Sequence, residues 1–171
     1  MPATDTAPAV QKFRRGEAYA LFNPAFFGIL LRRFIDGHVD AGATAGVPYV
    51  LPFVAIPMAV APDVRSRLSY STASHLGAWV QTNPNLMATI APFARALVPY
   101  VRMGILLGAE RGLVSFDDGE LAPGPVPLPK PPSARAEGDL AECQRAARFL
   151  GRWFAKYPDP SSILALLGVK P

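Results

Sequence analysis

Proline placement constrains this chain more than any other feature of its sequence. The 171 residues include 19 prolines, and each proline fixes its own backbone φ angle and lacks an N–H to donate. Proline therefore disfavours the middle of a regular helix or of a central strand, but it suits the first turn of a helix, above all after an asparagine cap. The prolines thus divide the sequence into helical stretches, a hairpin and a connector.

The first helix is predicted to begin at Asn23-Pro24 and to end at Asp36-Gly37. Between these signals, apolar residues recur at helical spacing, which predicts a buried stripe; they are Phe27, Leu30, Leu31, Phe34 and Ile35. Residues 1–22 mix proline, alanine, threonine and charge and predict a flexible N-terminal segment.

The segment 47–60 is almost continuously apolar but contains prolines at 48, 52 and 57. Because proline damages both a regular helix and a central strand, we predict a kinked, buried helix here. A short helical turn is predicted to follow at Pro62-Asp63.

Residues 72–112 predict three short helices in succession. The first contains Leu76 and Trp79, the second begins at Asn83-Pro84, and the third restarts at Pro99 and ends in a left-handed cap at Gly112. The glycines at 104, 108 and 112 are spaced four apart, which predicts close packing of that helix against a neighbour.

A β-hairpin is predicted directly after these helices. Residues 113–116 and 120–121 read as strands, with a turn at Asp117-Asp118-Gly119. Three short helices followed by a hairpin form the winged helix-turn-helix arrangement. The predicted fold class is therefore mainly α with a small β-hairpin: a helical, winged-helix domain at 23–121, with N-terminal helices before its core.

The remaining sequence predicts a connector and a C-terminal unit. Residues 122–136 contain six prolines and predict a semi-rigid, polyproline-like connector at a domain boundary. Residues 137–171 predict an amphipathic helix, from Asp139 to Tyr157, and a tail that pack on the domain or on a partner.

Composition limits the class of protein. The net charge of +4 permits an acidic partner or nucleic acid without requiring either. A single cysteine, Cys143, cannot build a disulfide framework or a cysteine-based zinc site within one chain. Residues 1–10 lack the apolar core of a secretory signal, and segment 47–61 is too short to span a bilayer. We expect a cytoplasmic protein with no membrane partner.

Few residues suggest catalysis. A phosphate-binding glycine-rich loop is missing from the sequence, and two histidines 37 positions apart make a poor metal site. His38 lies near Asp36 and Asp40, and His75 lies near serines, but such neighbours are also common where residues cap helices or face water. We predict no catalytic, cofactor-binding or metal-binding residue, and an enzyme dependent on His38 or His75 ranks third among the hypotheses.

DNA reading by the winged helix is the alternative function. A recognition helix needs several long polar side chains, whereas residues 99–112 offer Tyr100, Arg102, Glu110 and Arg111 and are otherwise apolar. Such a helix is typical of burial on both sides. The acidic hairpin tip would also repel phosphate. We therefore favour protein contact over a transcriptional regulator.

The C-terminal helix offers the strongest candidate surface. One side is an apolar seam, the other is basic, and two aromatic residues lie on the shoulder between them. The aromatic residues are either covered by the tail 163–169 or exposed as partner anchors, and a nucleic-acid contact in which Trp153 stacks is a third reading. The predicted partner-binding residues are Arg145, Arg148, Phe149, Arg152, Trp153 and Lys156.

Several motifs, in their order and spacing, resemble a known family. From about residue 17 to the end, apart from the connector, the sequence is similar to the middle components of bacterial three-component ABC-ATPase conflict systems, which are SMC/Rad50-like and Lamassu-related. The motifs are Asn23-Pro24-Ala25-Phe26, Ile56-Pro57-Met58, Asn83-Pro84, Leu97-Val98-Pro99-Tyr100, Phe149-Leu150-Gly151-Arg152-Trp153-Phe154 and Leu166-Leu167-Gly168-Val169-Lys170-Pro171.

The resemblance implies a small adaptor that accompanies an SMC/Rad50-like ABC ATPase and an effector in antiviral defence. It brings no catalytic residue to this chain. Nucleic acid would then be contacted only through the assembled complex.

Overall fold

The computed structural model of the protein describes residues 22–42 and 44–170. These residues form a mainly helical fold with a small antiparallel sheet, which confirms the predicted class. The helices are α1 Pro24–Asp40, α2 Pro52–Val60, α3 Pro62–Arg65, α4 Leu76–Thr82, α5 Pro84–Glu110, α6 Asp139–Phe154 and α7 Pro160–Leu166. The strands are β1 Val47–Pro48, β2 Val114–Asp117 and β3 Glu120–Pro123, in the order β1-β3-β2. The predicted flexible segment 1–22 lies outside the described residues except for Phe22.

Helix starts follow the predicted proline signals. The Asn23 side chain accepts a hydrogen bond from the Ala25 N–H (2.9 Å), and Pro24 occupies the first turn of α1. Asp159 caps α7 in the same way, through the Ser161 N–H (3.0 Å). In each case the side-chain oxygen satisfies a backbone donor that the helix itself leaves without a partner.

The predicted break at Pro99 is wrong, because α5 is a single helix that contains both Pro92 and Pro99. Each proline removes one helical hydrogen bond. Both prolines are exposed, so the carbonyl groups that lose their partners lie toward solvent. The first predicted short helix is present as α4, whereas the second and third form the one helix α5, and the winged helix-turn-helix core that depended on three separate helices is not confirmed.

The sheet contains the predicted hairpin and one strand that was not predicted. Asp118 (φ 45°) and Gly119 (φ 80°) form a two-residue turn with positive φ angles, which matches the twist of a tight hairpin. The predicted kinked helix over 47–60 is instead divided: Val47 pairs with Leu121 in β1, and the helical part begins only at Pro52. Pro48 is tolerated because β1 lies at the sheet edge.

Glycines let α1 approach α5 and α6 closely. A Cβ atom on Gly37 would lie 2.1 Å from the Arg148 carbonyl oxygen, and one on Gly151 would lie 2.1 Å from the Phe34 carbonyl oxygen. On another side of α1, a Cβ atom on Gly104 would lie 2.6 Å from the Phe27 Cβ. The predicted close packing is thus confirmed at Gly104, whereas Gly112 lies beyond the end of α5 at Glu110. The core surrounds α1.

Arginines hold the proline-rich connector against the helices. Arg32 and Arg33 of α1 and Arg145 of α6 each donate hydrogen bonds to backbone carbonyl groups of the connector. Burial lowers the pKa of Arg33. The connector acceptors are Gly124 (3.2 Å) and Val126 (2.7 Å) for Arg32, Pro129 (2.8 Å) for Arg33, and Ser133 (3.0 Å) and Ala136 (2.6 Å) for Arg145. The connector therefore packs along the fold.

Candidate functional site

The two aromatic residues predicted to anchor a partner lie in the core. Trp153 is fully buried, and its indole N–H donates to the Ser74 carbonyl (2.7 Å). Its ring meets Trp79 edge-on at 6.0 Å and stacks on Phe149 at 5.4 Å. Tyr70 covers the Phe149 ring at 5.2 Å. Trp153 and Phe149 are thus covered by residues of α4 and of the segment before it.

The basic residues of α6 differ in how free they are. Arg148 forms an ion pair with Asp40, and Lys156 donates to the Thr72 carbonyl. Arg145 holds the connector. Within residues 22–42 and 44–170, the exposed Arg152 side chain makes no hydrogen bond or ion pair. The prediction that these six residues bind a partner stays a prediction, and Arg152 is the member most available for it.

Arg65 is a structural residue that the sequence reading did not single out. Its side chain is 4% exposed, and its guanidinium joins α3 to α6 by ion pairs with Asp139 (2.6 Å) and Glu142 (3.3 Å). It also donates to the Val60 carbonyl (3.0 Å) and contacts the Cys143 sulfur (3.2 Å). Burial raises the pKa of Cys143 to about 12, so the thiol stays protonated. The cluster holds α6 in place.

The two candidate acid–base residues, His38 and His75, lie in different surroundings. His38 is 4% exposed, and burial lowers its pKa. Its neighbours Asp36 and Asp40 pair with Arg32 and Arg148. His75 is exposed and precedes α4. In the part of the chain that the structure describes, no group of three or more His, Cys, Asp or Glu residues could hold a metal ion.

One row of residues on the solvent-facing side of α5 is apolar. Its residues, spaced three or four apart, are all exposed and form what we call the outer face of α5: Ala88, Pro92, Ala96, Pro99, Met103 and Leu106. Met103 is 50% exposed and Leu106 is 65% exposed. Isolated apolar residues are normal on protein surfaces, whereas a continuous row is typical of a contact site.

The opposite side of α5 forms part of the core, through residues such as Leu97 and Val101. The sequence predicted that the helix over residues 99–112 is buried on both sides, whereas in the structure only one side of it is covered by the core. By length and composition alone, α5 would also be long and apolar enough to cross a membrane. The core helix of a protein outside a membrane can have the same length and apolar composition.

Comparison with known proteins identifies the family. The family description "ABC-three component (ABC-3C) system Middle Component 3" matches residues 12–171. Neither the curated proteins nor the solved structures contain a match. The match covers nearly the whole chain, including every helix and strand described above. The chain therefore belongs to the middle component 3 family of ABC-three component systems.

Proposed function

We propose that this chain is the non-catalytic adaptor of a bacterial defence complex and links an SMC/Rad50-like ABC ATPase to an effector. Membership in a family of middle components supports a role among several subunits. The observation that carries the proposal is the outer face of α5, a row of exposed apolar side chains with no cover among the described residues. In this proposal the complex is cytoplasmic.

The outer face has the form that helix-mediated binding uses. Apolar residues at spacings of three and four lie along one side of a helix and can enter a groove or pair with another helix. Burying a large apolar side chain contributes about 1.5–3 kcal/mol, so the exposed parts of Met103 and Leu106 offer roughly half of that each. This surface gives a partner more apolar area than Arg152 does.

A non-catalytic role is consistent with the state of the polar residues. Asp36 and Asp40 are engaged by arginines, and His38 is enclosed by the core. Residues that pair and pack in this way are occupied in holding the helices together.

Co-expression of the three components tests the proposal. The double variant Met103→Glu, Leu106→Glu places charge on the outer face without touching the core, so the chain should fold and fail to co-purify with at least one partner. Leu140→Glu is the matched control, because Leu140 is a similarly exposed residue (44%) on α6. Retention of both partners by the double variant would contradict the proposal.

Two further measurements separate the other readings. Flotation with anionic vesicles distinguishes a protein contact from a membrane contact, and a membrane-bound chain would contradict the adaptor proposal. The surface predicted on α6 is tested with Arg152→Ala. Trp153 is unsuitable for that purpose because its removal would open a cavity in the core.

A further inference from the structure

A groove lies beside the outer face of α5. It has a volume of about 280 Å³ and is bounded by the segment 49–54, by α5 and by the C-terminal residues. Its apolar lining residues, which are partly or fully buried apart from Val50, are Tyr49, Val50, Phe53, Val54, Ala91, Ala94, Val98, Leu164 and Val169. Aliphatic side chains thus form most of the floor, which suits an apolar side chain of a ligand.

The polar lining residues of the groove are all basic. They are Arg95, Arg102 and Lys170. All three are exposed, and across residues 22–42 and 44–170 their side chains make no hydrogen bond or ion pair. The groove therefore combines an apolar floor with a rim of positive charge that this chain does not neutralise.

The spacing of the two arginines limits what can pair with both. They are seven residues apart on one helix, which is about 10 Å along the axis at 1.5 Å per residue. A peptide in the polyproline II conformation rises about 3.1 Å per residue with three residues per turn, so it covers that distance in about three residues and brings its side chains back to the same side. Two carboxylates three positions apart, with apolar residues between them, would meet both arginines and place a side chain on the floor.

We propose that this groove binds a short acidic segment of a partner protein, with carboxylates paired to Arg95 and Arg102 and an apolar side chain against Val98. The inference rests on the proposed adaptor function for the protein that carries the segment. Charge complementarity favours this occupant over a second copy of this chain, whose net charge is +4. Seven of the nine apolar lining residues are aliphatic, against the aromatic Tyr49 and Phe53, which favours a leucine-like side chain over a nucleic-acid base, since bases bind best on aromatic side chains.

The first experiment uses the full chain and a fluorescein-labelled synthetic peptide in which aspartates three positions apart enclose leucine and phenylalanine. Fluorescence anisotropy measures binding at increasing salt. A control peptide carries asparagine for each aspartate, and a second carries alanine for each apolar residue. We expect each control peptide to bind the wild-type chain about tenfold or more weakly than the aspartate peptide does. We expect the same loss when the aspartate peptide binds the variant Arg95→Glu, Arg102→Glu.

Arg111→Glu is the matched control variant, since Arg111 is an exposed arginine that follows α5 and lies outside the groove. It should leave peptide affinity unchanged. Equal binding of the aspartate and asparagine peptides, or unchanged affinity of the double arginine variant, would overturn the proposal.

The second experiment uses the co-expressed complex. A photo-crosslinking amino acid at Val98 is activated, and the attached segment is identified by mass spectrometry. An acidic segment with apolar residues supports the proposal. A basic or uncharged segment, a second copy of this chain, a lipid or a nucleic acid overturns it. If no complex forms while the aspartate peptide still binds, the adaptor function fails and the groove stands.

Discussion

Replacing Gly151 by alanine adds one methyl group where α6 touches α1. The new Cβ atom would lie 2.1 Å from the Phe34 carbonyl oxygen and 2.9 Å from the His38 nitrogen. Ordinary contact begins at 3.4 Å, so the two helices must separate by more than 1 Å. Both close neighbours are backbone atoms and cannot rotate away as a flexible side chain would.

The expected loss of stability follows from two opposing effects. Overpacking a core costs typically 1–3 kcal/mol, and the upper end applies here because the backbone itself is displaced. Alanine regains about 1 kcal/mol of helix propensity relative to glycine. The net loss is therefore about 2 kcal/mol, which lowers the Tm of a chain of this length by about 4–8 °C.

Denaturant and thermal unfolding, followed by circular dichroism, measure this loss. Gly77→Ala is the matched control, because Gly77 lies in α4 and a Cβ atom there meets nothing nearer than a Leu166 methyl at 3.9 Å. That variant should gain up to about 1 kcal/mol. If Gly151→Ala were as stable as the wild type, α1 and α6 could not approach each other as closely as the 2.1 Å distance requires.

Three other perturbations have defined outcomes. The pKa of His38 lies below its ordinary 6.5 in the folded state, so the unfolded chain binds a proton at this residue more readily than the folded chain. The free energy of unfolding should therefore fall as the pH drops below about 6.5, by at most about 1.4 kcal/mol per pH unit from this residue. His38→Leu should remove that part of the pH dependence. The Cys143 thiol, with a pKa of about 12, should resist a thiol reagent at mildly alkaline pH in the native chain and react on denaturation. Arg32→Ala should accelerate amide hydrogen exchange at Val126, whose carbonyl accepts from Arg32 and whose N–H donates to Gly112 (2.9 Å), whereas exchange within α7 should not change.

Local chemistry made several elements predictable from the sequence. Asn23-Pro24 caps and starts a helix by itself, and Asp118-Gly119 favours a tight turn regardless of what surrounds it. The resemblance to middle components was likewise confirmed through residues 12–171. Each of these signals is contained within a few neighbouring residues or in their order along the chain.

The sequence predictions failed where tertiary packing decides the structure. Pro99 reads as a helix break, yet the buried side of α5 keeps the helix continuous while the proline faces solvent. Phe149 and Trp153 read as lying between two faces of α6, and only the residues from α4 and before it show that this shoulder is covered. The apolar second side of α5 was predicted, but which of its residues stay exposed depends on where α1 lies.

The hydrogen bond between Arg33 and Gln144 joins residues 111 positions apart, and α1 and α6 meet along that contact. At a synthesis rate of about 5–20 residues per second, α6 is therefore made about 5 to 20 seconds after α1, which it covers. During that interval the apolar side of α1 is open to chaperones and to other nascent chains. A stop codon before Phe154 would accordingly leave the core uncovered, so a C-terminal truncation should cause aggregation of the whole chain rather than loss of one surface.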